Sequence, residues 1–283
     1  MILLKKAAEL SEYTDAQRKN RKRIGFAPTM GALHPGHISL IEFSKKENDL
    51  TVSSVFVNPS QFNDSKDFEK YPVTIERDIE MLEAAGCDLL FIPSVLEIYP
   101  AGFKHAKKYE LGFLETVLEG KYRPGHYQGV CLVMERLLKI VMPDNLYLGQ
   151  KDYQQCMVIK KLIELIGIEK LINVNICPTL READGLAMSS RNMRLNKEER
   201  QTAATIFKAL SFIKLNTGFK NIALLEQEAI KMLEEKKFKV DYVEIADAKN
   251  LEEIKSWDGK KKIVALTAAY LNDIRLIDNL ILN

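Results

Sequence analysis

Histidine and cysteine are scarce in this sequence, and the cysteines follow no metal pattern. The 283 residues hold four of each. The cysteines stand singly at 87, 131, 156 and 177, with no CxxC among them. That spacing argues against a disulfide framework and fits a reducing compartment. Apolar runs are short, and none approaches the roughly 20 residues a membrane span needs. The opening Met1-Ile2-Leu3-Leu4-Lys5-Lys6 is too brief an apolar run for a signal peptide. An excess of either charge is also missing. A formal net charge of +2 is too small to imply a nucleic-acid partner, and the basic runs at 19–23 and 260–262 read as solvated loops. The expectation is a cytoplasmic protein with neither a nucleic-acid nor a membrane partner. Two nucleotide motifs are absent as well. There is no GxxxxGK[ST] and no GxGxxG, so neither the P-loop nor the dinucleotide fingerprint applies. Internal repeats and low-complexity tracts are lacking too.

What is present suits a globular chain, with 46% apolar and 28% charged residues. The length exceeds one typical domain without reaching three. The most informative stretch is PTMGALHPGH at 28–37. The apolar Ile24-Gly25-Phe26-Ala27 before it reads as a buried strand. The crowded apolar residues after it, from Ile38 to Phe43, read as a helix packed on a sheet. Ligands of open parallel sheets bind at the carboxyl ends of strands, beside helix N-termini whose free N–H groups suit phosphate. His34 and His37 fall in this one turn, with Gly36 between them to let a ligand approach the backbone. A lone histidine there would ordinarily be a satisfied polar residue. A pair after a strand points to chemistry. Zinc is the weaker reading, because it needs three or four ligands.

Alternating strands and helices predict βαβ units and a parallel sheet. A helix is expected over 5–20 and strands over 24–27, 50–57, 88–93, 146–148 and 171–177. Thr74 is placed to cap a helix whose inner face is Ile75, Ile79 and Leu82. Residues 100–128 read as irregular and include the basic loop Lys121-Tyr122-Arg123-Pro124-Gly125-His126. A helix then runs to Pro143, and another begins near Tyr153. The pattern changes after Pro178, where residues 178–191 read as a hinge. Helices over 197–215 and 221–236 follow, then strands over 240–246 and 262–270. The expected organisation is a Rossmann-like α/β domain over 1–177 and a smaller α+β domain over 178–283.

Lys151 follows a strand end, where it can act as a point charge on a phosphate, although an ordinary surface lysine is the competing reading. Ser189, Ser190 and Arg191 offer two hydroxyls and a forked cation, a set matched to a polyphosphate, against the reading of a solvated Ser-rich loop. Taken with His34 and His37, these groups favour nucleotidyl transfer. In that chemistry fixed donors stabilise charge growing on phosphate oxygens.

Seven motifs then carry a resemblance from end to end. They are PTMGALHPGH, FVNPSQF at 56–62, KDFEKYP at 66–72, RPGHYQGV at 123–130, GQKDYQQ at 149–155, READGLAMSSRN at 181–192 and RLIDN at 275–279. In them the chain resembles the pantothenate synthetase family, the pantoate–β-alanine ligases. That family is one of the adenylyl transferases that carry HxGH and a KMSKS-like loop, here Met188-Ser189-Ser190-Arg191. The resemblance implies ATP-dependent condensation of pantoate with β-alanine through a pantoyl adenylate, releasing AMP and pyrophosphate. It implies an ATP site formed by Met30, Gly31, Ala32, Leu33, His34, Pro35, Gly36 and His37, with His37 the proton donor and His34 at the phosphates. Gly149, Gln150, Lys151, Asp152, Leu180 and Met188 to Arg191 complete that site. Gln61 and Gln155 hold pantoate, Gln61 also lies near β-alanine, and Asn58 and Arg123 support them. Two neutral amides suit hydroxyls beside a carboxylate, since each donates and accepts. Magnesium is expected with ATP, with Asp78 as its nearest carboxylate, and a homodimer is expected from the family. One departure stands out. The family's YPRT is Tyr71-Pro72-Val73-Thr74 here, which removes an arginine. Two alternatives stay open on the residues alone: another HxGH nucleotidylyltransferase, and a nucleotide-binding regulator without catalysis.

Overall fold

The computed structural model describes residues 1–63, 65–103 and 106–283, with residues 65 and 66 described by backbone alone. His105, and the Lys66 side chain that opens the KDFEKYP motif, lie outside what is described. The chain forms two compact units. The first is Met1–Gly149 with Gln155–Pro178, and the second is Gln150–Gln154 with Thr179–Asn283. The short Lys151 stretch thus groups with the later part of the chain.

The first unit alternates strands and helices. Its order is β1 (Ile2–Leu4), α1 (Ala7–Lys19), β2 (Ile24–Thr29), α2 (Pro35–Glu47), β3 (Leu50–Val55), α3 (Ser65–Glu69), α4 (Ile75–Ala84) and β4 (Leu89–Phe91). Then come α5 (Val95–Ile98), α6 (Leu118–Tyr122), α7 (His126–Val141), β5 (Asn145–Gly149), α8 (Tyr153–Leu165) and β6 (Asn173–Cys177). The six strands pair in the order β1-β4-β3-β2-β5-β6, and every pairing is parallel. Helices cover both faces, so the central strands are buried almost without alternation, as parallel strands are. Ile24, Phe26, Val52 and Leu146 join one apolar cluster, with Leu10, Leu137 and Leu162. Ala27, Val55 and Leu90 join the other, with Leu40, Ile41 and Leu82. The chain leaves β2 toward β3 on one side and has β5 on the other. The crevice expected at such a change of direction lies at the carboxyl ends of β2 and β5.

The second unit holds α9 (Lys197–Ala203), α10 (Thr205–Asn216) and α11 (Ile222–Glu234). Its antiparallel sheet is β7 (Lys239–Asp247), β8 (Ile263–Leu271) and β9 (Ile274–Ile281), with β8 central. Leu210, Ile213, Leu225, Ile245 and Ala265 lie in its core.

Four expectations change. The helix predicted over 197–215 is two helices that meet at Ala204. A turn of helix, α6, interrupts the irregular stretch, and α7 begins at His126 rather than after it. Thr74 sits at the head of α4, but its hydroxyl donates to the Asp78 carboxylate (3.0 Å) and makes no side-chain cap. The predicted hinge at 178–191 is partly a hydrogen-bonded hairpin. Arg181 pairs with Ala187 across it, and Met188 N–H donates to Leu180 C=O at 3.1 Å.

Candidate active site

The site in the first unit starts where β2 ends. Thr29 hydroxyl donates to Ser54 C=O of β3 (2.7 Å) and accepts from Gly31 N–H (3.3 Å). Gly31 and Ala32 then take left-handed backbone, φ 82° and 50°. Two such residues in succession turn the next amides, of Ala32 and Leu33, to one side, and the Asp78 carboxylate takes them. One oxygen accepts from Ala32 N–H (2.9 Å) and the other from Leu33 N–H (2.8 Å). A β-carbon at position 31 would stand 2.9 Å from that carboxylate, so glycine answers both the φ and the close approach. Asp78 is 1% exposed. Both Asp78 oxygens thus hold the Met30–Leu33 turn, a task apart from the one expected of it as a magnesium ligand.

The turn delivers the chain into α2 with His34 at its cap and Pro35 at the first helical position, where a missing N–H costs nothing. The imidazoles of His34 and His37 face each other with centroids 4.0 Å apart. His37 Nδ1 accepts from the His34 backbone N–H at 3.4 Å. A ring nitrogen that accepts carries no proton, so the neutral ring bears its proton on Nε2. His37 is therefore set as an Nε2–H donor at the N-terminus of α2.

Beyond β3 the chain makes a tight turn, Pro59–Gln61, in front of α7. A β-carbon at Gly129 would lie 2.1 Å from Ser60 C=O, so only glycine lets α7 pack this close to the turn. Asn58 is 1% exposed and its amide is fully used. Its Nδ2 donates to Gln61 Oε1 (2.9 Å) and Gly129 C=O (3.2 Å). Its Oδ1 accepts from Ser60 N–H, Ser60 Oγ and Tyr99 Oη. Burial pushes the Tyr99 phenol up to about 12, so it stays a donor. Asn58 thereby fixes which way the Gln61 amide faces, and Gln61 Nε2 points at Met30 Sδ (3.0 Å). Arg123 closes α6, 3.5 Å from the Glu119 carboxylate and 3.2 Å from His126 Nε2. Gln155 lies in the first turn of α8, and Gly149 ends β5.

In the second unit, Asn279 on β9 organises the Lys151 stretch. Its Nδ2 donates to both Gln150 C=O and Lys151 C=O at 2.8 Å, and its Oδ1 accepts from Gln150 Nε2 at 3.2 Å. Next to it, Asp278 takes Arg181 in a two-pronged pair of 2.6 and 3.0 Å. Burial pushes the Asp278 carboxyl above the usual carboxylate range, against the pull of Arg181. Arg181 also donates to Asn279 C=O (3.1 Å) and lies over the Phe207 ring. β9 thus ties together the GQKD stretch and the hairpin that leads to Met188–Arg191. Ser189 accepts from Arg191 N–H (3.3 Å) and heads the turn Ser190–Arg194. Leu180 is 40% exposed. The Lys151 ammonium lies 3.7 Å from Asp152.

Reasoning from sequence missed the roles of Asp78, His126, Arg181, Asp278 and Asn279. His126, Arg181, Asp278 and Asn279 sit within the motifs quoted above, which is the only signal that marks them.

A six-stranded parallel sheet with paired imidazoles on a helix N-terminus at its carboxyl edge defines an enzyme of nucleotide chemistry. The comparisons with known proteins name the family. A family model described as pantoate-beta-alanine ligase matches residues 2–281. A pantothenate synthetase of Cytophaga hutchinsonii is 42% identical, with 100% of this chain and 99% of that protein aligned. A crystal structure of pantothenate synthetase from Thermus thermophilus superposes with a TM-score of 0.91 at 39% identity, covering 99% of each chain. The Francisella tularensis pantoate-beta-alanine ligase, solved in complex with beta-gamma ATP and beta-alanine, gives 0.81 at 36% identity over 99% of this chain and 97% of that one. The chain belongs to the pantoate–β-alanine ligase family.

Proposed function

We propose that the ligase joins pantoate to β-alanine in two half-reactions through a pantoyl adenylate. A carboxylate is a poor acyl donor until one of its oxygens becomes part of a good leaving group. In the first half-reaction a pantoate carboxylate oxygen attacks the α-phosphorus of ATP. The bond to the bridging oxygen breaks, and pyrophosphate leaves with the electron pair. In the second, the β-alanine amine attacks the acyl carbon, loses a proton and displaces AMP.

The observation that carries this reading is the His34–His37 pair at the head of α2, with His37 presenting Nε2–H. A fixed N–H donor at a helix N-terminus stabilises charge growing on phosphate oxygens. Met30 to His37 line the nucleotide in this reading, and His34 meets the phosphates. Gly149 to Asp152, Leu180 and Met188 to Arg191 serve the same ATP, with Lys151 and Arg191 as cations on the departing pyrophosphate. Gln61 and Gln155 take the pantoate hydroxyls and carboxylate, Gln61 also meets β-alanine, and Asn58 and Arg123 support them.

Magnesium enters with ATP, held by phosphate oxygens and water. Among the described residues no group of three His, Cys, Asp or Glu is placed to hold a metal, and the Asp78 oxygens take backbone amides. The four cysteines are buried, and their isolated spacing in the sequence supports a cytoplasmic location. The homodimer rests on the family resemblance.

The test is a rapid-quench reaction with enzyme, magnesium-ATP and pantoate alone. One equivalent of pyrophosphate and bound pantoyl adenylate are expected per site, and β-alanine then releases AMP and pantothenate. Formation of ADP and phosphate would refute the reading, as would no pyrophosphate before β-alanine is added.

A further inference from the structure

We propose that His126 is a positioning residue that fixes Gln61 and Arg123, and with them the binding site for the acid substrate. The proposal rests on the reading of those two residues as pantoate contacts. His126 opens α7 and is 5% exposed. Its Nδ1 lies 2.8 Å from the Gln61 backbone carbonyl, a residue 65 positions earlier. Its Nε2 lies 3.2 Å from Arg123 Nη1.

The chemistry of the two partners settles the tautomer. A carbonyl oxygen only accepts, so Nδ1 must carry the proton. A guanidinium only donates, so Nε2 must offer its lone pair. Both demands select the same neutral imidazole, with Nδ1–H toward Gln61 and bare Nε2 toward Arg123. An imidazolium would set an N–H against the guanidinium. The ring is therefore a rigid spacer between one backbone carbonyl and one cation.

Each partner is secured from another side as well. Asn58 Nδ2 fixes the Gln61 amide at 2.9 Å, so His126 sets the turn's backbone while Asn58 sets the amide's direction. The Glu119 carboxylate, itself 6% exposed as a residue, lies 3.5 Å from Arg123 on the previous turn of helix. Arg123, Pro124 and Gly125 join α6 to α7, and Gly125 takes φ 81° there. The joint is short, and the His126 ring locks its exit to the loop beyond β3.

Two substitutions separate the two contacts. His126→Asn places an amide near the Nδ1 position and retains the donor to Gln61. His126→Gln places one near Nε2 and retains the acceptor for Arg123. KM for pantoate and for ATP is measured in steady state for these two variants, for His126→Ala and for Gln61→Ala, with circular dichroism on each. His126→Ala is expected to raise the pantoate KM by about tenfold or more, the scale of one lost hydrogen bond to a charged group. The ATP KM is expected to stay unchanged, and Asn and Gln each to recover part of the loss. An equal rise in both KM values would overturn the proposal, because it would mark a merely structural residue. An unchanged pantoate KM in all three His126 variants, beside a raised one in Gln61→Ala, would overturn the positioning role alone. An unchanged pantoate KM in Gln61→Ala would remove the substrate assignment and the proposal with it.

Discussion

Replacing Asp78 by alanine removes the acceptor of two buried backbone amides and one hydroxyl at once. Ala32 N–H and Leu33 N–H lose partners at 2.9 and 2.8 Å, and Thr74 loses one at 3.0 Å. A buried donor left without a partner costs about 1–3 kcal/mol, so the two amides together put the loss at about 2–6 kcal/mol. Water entering the vacated space would bring the figure toward the lower end. Even that end is a large share of the roughly 5–15 kcal/mol that holds a typical domain folded. The damage is also directed. Gly31 takes left-handed backbone at no steric cost and Ala32 takes it against one, and the carboxylate is the group that captures the amides that follow them. Without it the Met30–Leu33 turn loses its form, and the His34–His37 pair loses its entry geometry. Asp78→Asn should fall between, since an amide keeps one acceptor but sets an N–H against the second backbone N–H. The assay is urea unfolding at fixed pH with both midpoint and slope, together with the ATP KM at a temperature where the variant is folded. A lower midpoint at unchanged slope and a raised ATP KM are expected for alanine, with asparagine intermediate. If alanine unfolds at the native midpoint and binds ATP normally, the clamp does not do what its geometry implies.

Two further perturbations address other parts of the chain. His37→Ala should stay folded and lose adenylate formation by about 10²–10⁴-fold, the usual scale of general acid–base catalysis, as read by single-turnover pyrophosphate release. Glu226 on α11 is raised from 4.5 to about 7, first by burial, then by the Glu244 and Glu253 charges, against the hydrogen bond from Ile245 N–H. The folded state therefore binds this proton more tightly than the unfolded chain does, and the group's contribution to stability falls as pH rises from about 4.5 to about 7. Glu226→Gln should remove that slope, and parallel pH dependences of native and variant midpoints would refute the assignment.

Much of the fold was legible because it follows from local rules. The run Ile24–Ala27, the Gly/Pro turn and the apolar helix after it are the strand, turn and helix of β2 to α2. The β-branched run at 50–57 holds β3, which ends at Val55. The elements that escaped reading are those whose stability comes from partners. β1 is three residues long, with Ile2 44% and Leu3 39% exposed, and its pairing with β4 is what makes it a strand. β9 carries buried Asp278 and Asn279 in mid-strand, which breaks the apolar alternation that marks a strand. Those two residues sit inside because Arg181, Gln150 and Lys151 C=O receive them.

The same logic explains why the site's residue types could be found in the sequence but not its supports. Histidine pairs, a lysine after a strand and a Ser-Ser-Arg run are unusual side chains at telling positions. Their supports are ordinary polar residues acting on distant backbone. Asp78 holds the amide of Leu33 across 45 positions, His126 the carbonyl of Gln61 across 65, and Asn279 the carbonyl of Lys151 across 128. Every residue type carries a backbone carbonyl, and every one but proline an N–H, so the receiving position leaves no mark in the sequence. Only the side chain could betray the contact, and an aspartate in the first turn of a helix already has a sufficient local reason to be there. Asp78 satisfies that local preference and the distant turn together. Its second task becomes visible only when the turn after β2 and the first turn of α4 are brought together in three dimensions.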